Sequence, residues 1–159
     1  MQERDYIDIL IESLKKKNEI LDKIIEENEH QRVLTLDETL GPDDFSKTID
    51  VKSDLIDELE KLDNGFEQLF ERIKPIMETK KNAYKEEIKG MQEMIKLIVD
   101  KTVQIQQEEL RNKQLIEHKF SSIKKQIREI KASQKAVNTY YKDVVKRNFL
   151  EAQFYDSRK

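Results

Sequence analysis

The sequence contains no cysteine and no tryptophan, and only three glycines and two prolines among its 159 residues. Glycine and proline are too scarce for a loop-rich β-sandwich, an α/β nucleotide-binding domain or a disordered linker. Without cysteine there is no disulfide framework, no thiolate metal site and no thiol nucleophile. No apolar run is long enough for a transmembrane helix, and the first residues lack the basic-then-apolar order of a signal peptide. We therefore expect one nearly all-helical, water-soluble, cytoplasmic domain.

Charge is abundant, at 40% of residues, but it is unevenly distributed. Residues 1–75 contain 11 Lys and Arg against 21 Asp and Glu, whereas residues 119–159 contain 11 against 4. The basic C-terminal region can attract the acidic half of the same chain or recruit a separate partner. Nucleic acid is the less favoured partner, because the chain as a whole is mildly acidic. A solvated, lysine-rich helix face is the simplest interpretation.

Apolar residues recur at alternating steps of three and four, the spacing of a helix that buries one face. The first helix is expected from about Arg4 to Arg32, with a stripe wide enough for a bundle and with Lys17 in one seam position. Gly41-Pro42 is the strongest stop signal in the chain. Asp43 or Asp44 is expected to cap the helix that follows, since a carboxylate accepts unpaired amide hydrogens of the first turn. The apolar stripe of the first helix is Ile7, Leu10, Leu14, Leu21 and Ile24.

The second helix has the most regular seam of the chain. The seam passes through Asn64-Gly65 without losing register, so we expect an uninterrupted helix in which the glycine costs about 1 kcal/mol relative to alanine. Pro75 lacks an amide donor and disfavours helical geometry at the residue before it. We therefore expect a kink or a boundary near residues 74–79. The seam consists of Leu55, Leu59, Leu62, Phe66, Leu69, Ile73 and Ile76.

The third segment, residues 76–148, has one glycine and no internal proline. A polar stretch interrupts its seam, but the 11 residues from Ile105 to Ile116 equal three helical turns, so one helix can contain both parts. Such a helix is longer than either of the first two. The part that extends beyond them must fold back, pack against a second copy or bind a partner. The expected fold is all-α, a long antiparallel bundle or coiled coil of about three helices with an extended amphipathic C-terminal helix. Residues 1–118 form the core of this domain, and residues 119–159 its basic, partner-binding helix and tail.

The C-terminal region is amphipathic as well as basic. Such a helix can lie in a partner's groove, on another helix or on a membrane surface, or it can simply complete the bundle. Phe154 and Tyr155 lie beyond the periodic pattern, in a tail that is either a docking peptide or a disordered end. The candidate partner-binding residues are Phe120, Ile123, Ile127, Ile130, Val137, Tyr140, Tyr141, Val144, Phe154 and Tyr155.

Residues with catalytic or metal-binding chemistry are few. His30 follows Glu26 and Glu27 by one helical turn, but no third ligand is in view, and His118 has no carboxylate or histidine three or four residues away. The chain contains no phosphate-binding glycine loop and no nucleophile elbow. We therefore expect no enzymatic activity, no metal, no cofactor and no small-molecule substrate.

Several stretches of the chain, in this order along nearly its full length, resemble the FlgN-type flagellar export chaperones of Gram-positive anaerobes. The more specific of them are Asp63–Phe66 and the terminal peptide Gln153–Lys159. The matching stretches are Lys52–Leu59, Leu62–Arg72, Glu86–Ile95, Val103–Gln106, Glu109–Lys113, Tyr140-Tyr141 and Gln153–Lys159.

The resemblance implies a cytoplasmic chaperone that binds the C-terminal helices of hook–filament junction proteins, prevents their premature assembly and delivers them to the export gate. It places partner binding on Phe120 through Val144. It also associates a C-terminal tyrosine with export-gate docking, and Tyr140, Tyr141 and Tyr155 are equal alternatives for that role. The related filament-cap chaperones are also small helical proteins and are an alternative source of the same resemblance.

Two other functions stay open. A homo-oligomeric coiled-coil scaffold without chaperone activity would use the same seams between identical chains. The wide stripe of the first helix and the short connections favour packing within one chain instead. An adaptor for nucleic acid or membranes would act through the basic tail.

Overall fold

Three long helices make up most of the chain: α1 (Glu3–Leu36), α2 (Pro42–Thr79) and α3 (Lys85–Lys119). The structure, a computed structural model, describes residues 2–121, 132, 135–142 and 144. Residues 135–142 and 144 are also helical and are together called the C-terminal segment below. These described residues include no strand. The predicted all-α class is therefore confirmed.

The first helix ends later than predicted, at Leu36 rather than Arg32, and residues 37–41 connect it to α2. Gly41 is the N-cap of α2, and Pro42 occupies the first helical position, where its missing amide hydrogen would have no helical partner anyway. The Asp44 carboxylate accepts the Gly41 amide hydrogen at 2.9 Å. The capping role predicted for Asp43 or Asp44 thus belongs to Asp44.

The second helix is uninterrupted at Asn64-Gly65, as predicted. It also continues through Pro75 and ends at Thr79, at the far edge of the predicted window. Its most buried face is shifted from the predicted seam, because α2 has neighbours on both sides. Thr48 contacts α1, and Asp63 contacts the C-terminal segment. Leu59, Phe66 and Ile73 are shared by both faces, whereas Ile56, Asp63, Phe70 and Met77 are buried in place of Leu55, Leu62, Leu69 and Ile76.

One helix contains both parts of the seam, as predicted, since α3 runs from Lys85 to Lys119. It does not occupy the whole of residues 76–148, because the chain turns at residues 80–84 and α3 ends at Lys119. Within α3 the seam is nevertheless continuous. Glu109 and Asn112 lie in the predicted polar gap and are fully buried. The chain then folds back, since Val137 and Tyr141 belong to the same core cluster as the apolar faces of α1, α2 and α3.

Helix α1 packs along both α2 and α3. Contacting pairs run in opposite order along α1 and α2, from Lys17–Asp63 to Gln31–Thr48. They run in the same order along α1 and α3, from Arg4–Glu87 through Asp22–Lys101 to Asn28–Glu108. The helices therefore stay in contact over most of their length.

A second, smaller core lies where α1 ends and α2 begins. Phe45 and Phe120 meet edge to face there, with ring centroids 5.2 Å apart. Leu34 and Ile116 complete this cluster, and Lys119 donates hydrogen bonds to the carbonyls of Leu34 and Asp37. These contacts fix the point at which the chain leaves α3.

Candidate functional site

The described part of the predicted partner-binding stripe faces the interior of the bundle. Val137 and Tyr141 are 7% and 0% exposed, and Val144 is fully buried. Phe120 is buried in the smaller core, and Tyr140 is half-buried against the main one. Ile123, Ile127, Ile130, Phe154 and Tyr155 lie outside the described residues. The structure therefore brings Val137, Tyr140 and Tyr141 together on one wall of the main core and places Phe120 apart from them.

A three-residue contact, called the Asp63 clasp below, joins the C-terminal segment to α1 and α2. Lys17 Nζ lies 2.5 Å from Asp63 Oδ1, and the Tyr140 hydroxyl donates to Asp63 Oδ2 at 2.9 Å. The Lys17 and Asp63 side chains are both more than nine-tenths buried. Both carboxylate oxygens therefore have a donor, one from the body of the bundle and one from the segment. The Tyr140 and Tyr141 rings also meet edge to face, with centroids 5.3 Å apart.

A buried polar layer crosses the core towards the other end of α1. At its centre Lys52 Nζ donates to Asn28 Oδ1 and Gln31 Oε1, each at 3.0 Å, and to Glu109 Oε1 at 2.5 Å. An ammonium group has three hydrogens, so Lys52 uses all of its donors. The layer consists of Asn28, Gln31, Thr48, Lys52, Glu109 and Asn112.

The amides of the polar layer are also engaged. Gln31 Nε2 donates to Thr48 Oγ1 at 2.8 Å, and Asn112 Nδ2 donates to the Asn28 carbonyl at 2.8 Å and to Gln31 Oε1 at 3.2 Å. Asn28 Nδ2 donates outwards, to Glu108 Oε1 at 3.1 Å. The layer therefore links α1, α2 and α3 through interlocking hydrogen bonds, and such networks specify one alignment of the helices.

Burial changes the acidity of both charged groups in the layer. It lowers the pKa of Lys52, against the opposing effect of the Glu109 charge. It likewise raises the pKa of Glu109, against the opposing effect of the Lys52 charge. Both shifts favour the neutral forms, because removing a charge from water is costly even when its partner is close.

Three buried polar atoms in or beside the polar layer have no hydrogen-bond partner among the described residues: Glu109 Oε2, Arg111 Nη2 and the Tyr141 hydroxyl. Burial raises the pKa of Tyr141 well above its ordinary value, and the Glu109 and Glu108 charges add to the shift. The hydroxyl is therefore a protonated donor within electrostatic reach of a carboxylate that it does not bond. An unpaired buried polar group costs about 1–3 kcal/mol.

Lys17 was predicted to lie in the seam, but its partner Asp63 was not predicted, and neither was the polar layer. A signal for the layer exists. Glu109 and Asn112 continue the 4-3-4 steps from Ile105 to Ile116, and Asn28 and Gln31 continue the stripe of α1 beyond Ile24. Polar residues at seam positions are therefore as informative as apolar ones.

The candidate metal ligand His30 lies at the surface, with its Nδ1 3.2 Å from Glu27 Oε1. Over the described ranges, no three His, Asp or Glu side chains are grouped as a metal site would require. None of the helices formed by those residues is both long and apolar enough to cross a membrane.

Comparisons of this chain with protein-family models, with curated proteins and with solved structures found no match in any of the three. The similarity to FlgN-type chaperones therefore stays a prediction. What the protein does has to be argued from the geometry of the clasp, the polar layer and the C-terminal segment.

Proposed function

We propose that this protein is a cytoplasmic, non-enzymatic chaperone of flagellar type III export. It binds the C-terminal helices of hook–filament junction proteins, prevents their premature assembly and delivers them to the export gate. Its working form is an antiparallel helical bundle whose C-terminal segment is exchangeable. The observation that supports this most is the docking of that segment with two polar atoms, Glu109 Oε2 and the Tyr141 hydroxyl, buried without hydrogen bonds.

The free energy of docking the C-terminal segment is the balance of favourable and unfavourable contributions. Burial of Val137, Tyr141 and Val144 contributes about 1.5–3 kcal/mol for each side chain. The two unpaired polar atoms offset part of this, at about 1–3 kcal/mol each. When the segment leaves the bundle, both atoms and the charges of the polar layer regain water. Undocking therefore costs less than it would from a purely apolar groove.

An undocked segment would present the apolar side of Val137, Tyr141 and Val144 to a client. Junction-type subunits end in amphipathic helices that pack together after assembly, so such a helix can bury its stripe against this one beforehand. Association and ordering costs reduce the affinity of any such pairing. A complex that dissociates at the export gate is the outcome that delivery requires.

The proposal is tested by co-expressing the intact chain with the hook–filament junction proteins of its source organism and weighing the products by light scattering. A stoichiometric complex is expected. It should be lost in a chain that ends at Lys119, with circular dichroism showing that this chain stays helical. The full-length variant Val137→Asp/Val144→Asp should also lose it, whereas Lys142→Glu, at an exposed position of the same segment, should keep it.

The rival functions predict other outcomes. A homodimer whose mass does not change with concentration, together with no client complex, would contradict the proposal and favour the coiled-coil scaffold. Salt-sensitive binding to DNA or to anionic vesicles in place of client binding would favour the adaptor.

A further inference from the structure

We infer that the outer flank of α2 binds a second copy of this chain, with the two α2 helices antiparallel about a two-fold axis at Gly65. The contact uses the same surface on both copies. Gly65 follows Asp63 by two residues, which is about 200° around the helix. The interface therefore lies away from the Asp63 clasp, and dimerisation is independent of client binding.

A regular apolar stripe of α2 lies outside the fully buried core. Its four members recur every seven residues, the repeat of a helix that packs lengthwise against another helix. Each is only half-buried at the border of the main core. Val51, one turn before the first of them, is 45% exposed. A helix from another chain would cover the rest of this stripe, which consists of Leu55, Leu62, Leu69 and Ile76.

The stripe borders a groove that another helix can enter. A concavity of about 480 Å³ lies between Leu62 and the side chains of Ile9 and Ser13 on α1. A second concavity, of about 240 Å³, is lined by Gly65 and Leu69. Ile9 is 43% exposed, and a Cβ added at Gly65 would meet no atom within 4 Å. The bare backbone at Gly65 therefore permits a close approach of a second helix.

The charges beside the stripe are self-complementary. Glu58 lies seven residues before Gly65 and Arg72 seven residues after it, so the three share one face of α2. A two-fold axis at Gly65 places Glu58 of each copy opposite Arg72 of the other. Both side chains are exposed, and Glu58 has no ion-pair partner among the described residues. Arg72 lies over the Tyr6 ring, 5.9 Å from its centroid, and its edge donors can still bind a carboxylate.

These features favour a second copy over an unrelated helix. The axis that pairs the charges also brings Leu62 of one copy beside Leu69 of the other, so apolar surface meets apolar surface. The stripe from Leu55 to Ile76 is about 32 Å long, and α1 and α2 together are about 20 Å wide. Each copy therefore buries about 600 Å², the lower limit of specific interfaces. We expect a reversible dimer with a dissociation constant in the micromolar range.

Charge reversal in the intact chain tests the pairing. Sedimentation velocity from about 1 μM to about 1 mM covers the expected dissociation constant. Glu58→Arg and Arg72→Glu should each weaken dimerisation about tenfold or more, because like charges then face each other twice. An equimolar mixture of the two variants should dimerise as the parent does, since their faces have opposite charge. The matched control Asp57→Arg, also exposed and about 100° from Glu58 around the helix, should dimerise normally.

A second pair of variants tests the close approach. Gly65→Gln places two side chains at the axis and should weaken dimerisation about tenfold, although glutamine is the better helix former. Gly90→Gln, at the other helical glycine with open space for a Cβ, should leave dimerisation unchanged. Circular dichroism checks that every variant stays helical. A parent chain that is monomeric throughout, or a dimer that Gly65→Gln and both charge reversals leave intact, would overturn the inference.

Client binding provides a separate readout. If both proposals hold, light scattering of the co-expressed complex should give two chains and two clients, and Gly65→Gln should reduce this to one of each. A one-to-one complex of the parent chain would refute the dimer alone. A reversible dimer that binds no client would count against the proposed function alone.

Discussion

Lys17 of α1 and Asp63 of α2 are 46 residues apart in sequence, and their Nζ and Oδ1 atoms lie 2.5 Å apart in the core. The second oxygen of Asp63 accepts the hydroxyl of Tyr140. One carboxylate therefore stabilises the pairing of α1 with α2 and also the docked position of the C-terminal segment. Breaking it is expected to affect global stability and segment opening together.

Asp63→Asn should lower the free energy of unfolding by about 3–5 kcal/mol, because it leaves the buried Lys17 ammonium without its counter-charge. Chemical denaturation measures the change. Asp57→Asn, at an exposed position of the same helix, should stay within about 0.5 kcal/mol of the parent. Equal effects of the two substitutions would show that the clasp contributes nothing.

Removing both members of the ion pair separates its two roles. Lys17→Met/Asp63→Leu should leave global stability unchanged or higher, since no buried charge remains unpaired. The segment should still open more often, because Tyr140 loses its acceptor. Hydrogen exchange over residues 135–142 measures this opening, and unchanged exchange there would remove the clasp from the account of docking.

The adjacent tyrosines should respond in opposite directions to loss of the hydroxyl. Tyr141→Phe removes an unpaired buried group and should stabilise the docked segment by about 1–2 kcal/mol, whereas Tyr140→Phe loses the bond to Asp63 and should destabilise it by about 1 kcal/mol. Thermal unfolding and segment exchange report both effects. If exchange is the basis of client binding, Tyr141→Phe should also weaken the client complex. Shifts of the same sign in both variants would contradict the assigned hydroxyl environments.

The change in the free energy of unfolding between pH 7 and pH 4.5 should reveal the buried carboxyl of Glu109. Burial raises the pKa of Glu109 in the folded chain above its unfolded value. The stability that this group contributes is therefore fully present below the unfolded pKa of about 4.5 and is lost as pH rises through the folded pKa. Denaturation of the parent and of Glu109→Gln between pH 7 and pH 4.5 should show the parent gaining relative stability as pH falls. A difference that is constant with pH would mean that the carboxyl is not perturbed.

The helical glycines offer a test of backbone energetics that does not depend on the core. A Cβ added at Gly65 or Gly90 would meet no atom within 4 Å, so each change to alanine should stabilise the chain by about 0.5–1 kcal/mol. A Cβ added at Gly41 would also meet no atom within 4 Å, but Gly41 is the N-cap of α2. Alanine caps poorly, so Gly41→Ala should destabilise by a few tenths to about 1 kcal/mol. Thermal unfolding of the three variants distinguishes the two signs.

Much of the fold was predictable because apolar spacing reports helices directly. Leu59, Phe66 and Ile73 were assigned to the core of α2 and are in it. The displacement of the buried face towards Asp63 was not predictable, since it depends on which flank of the helix acquires a neighbour. The ends of α3 were missed for a similar reason. The turns at residues 80–84 and at Phe120 contain no glycine or proline, so local sequence does not mark them.

The candidate site was less accessible to prediction than the fold. Lys52 and Glu109 are 57 residues apart and lie on different helices, and a polar residue in a seam does not identify the partner that permits its burial. The predicted partner-binding stripe was recognised as amphipathic. Its amphipathic pattern does not reveal whether the same chain covers it, because that depends on how the bundle folds. The structure shows that Val137 and Tyr141 are covered.

The most direct test of the account is site-resolved hydrogen exchange of the intact chain over residues 135–142, compared with residues 95–105 of α3. If the C-terminal segment is exchangeable, its amides should exchange through a local opening of lower free energy than global unfolding, while those of α3 report the global value. Adding a purified hook–filament junction protein should change exchange over residues 135–142 and leave α3 protected. Identical protection of both regions, unchanged by the client, would mean that the segment is a permanent part of the core and would contradict the proposed function.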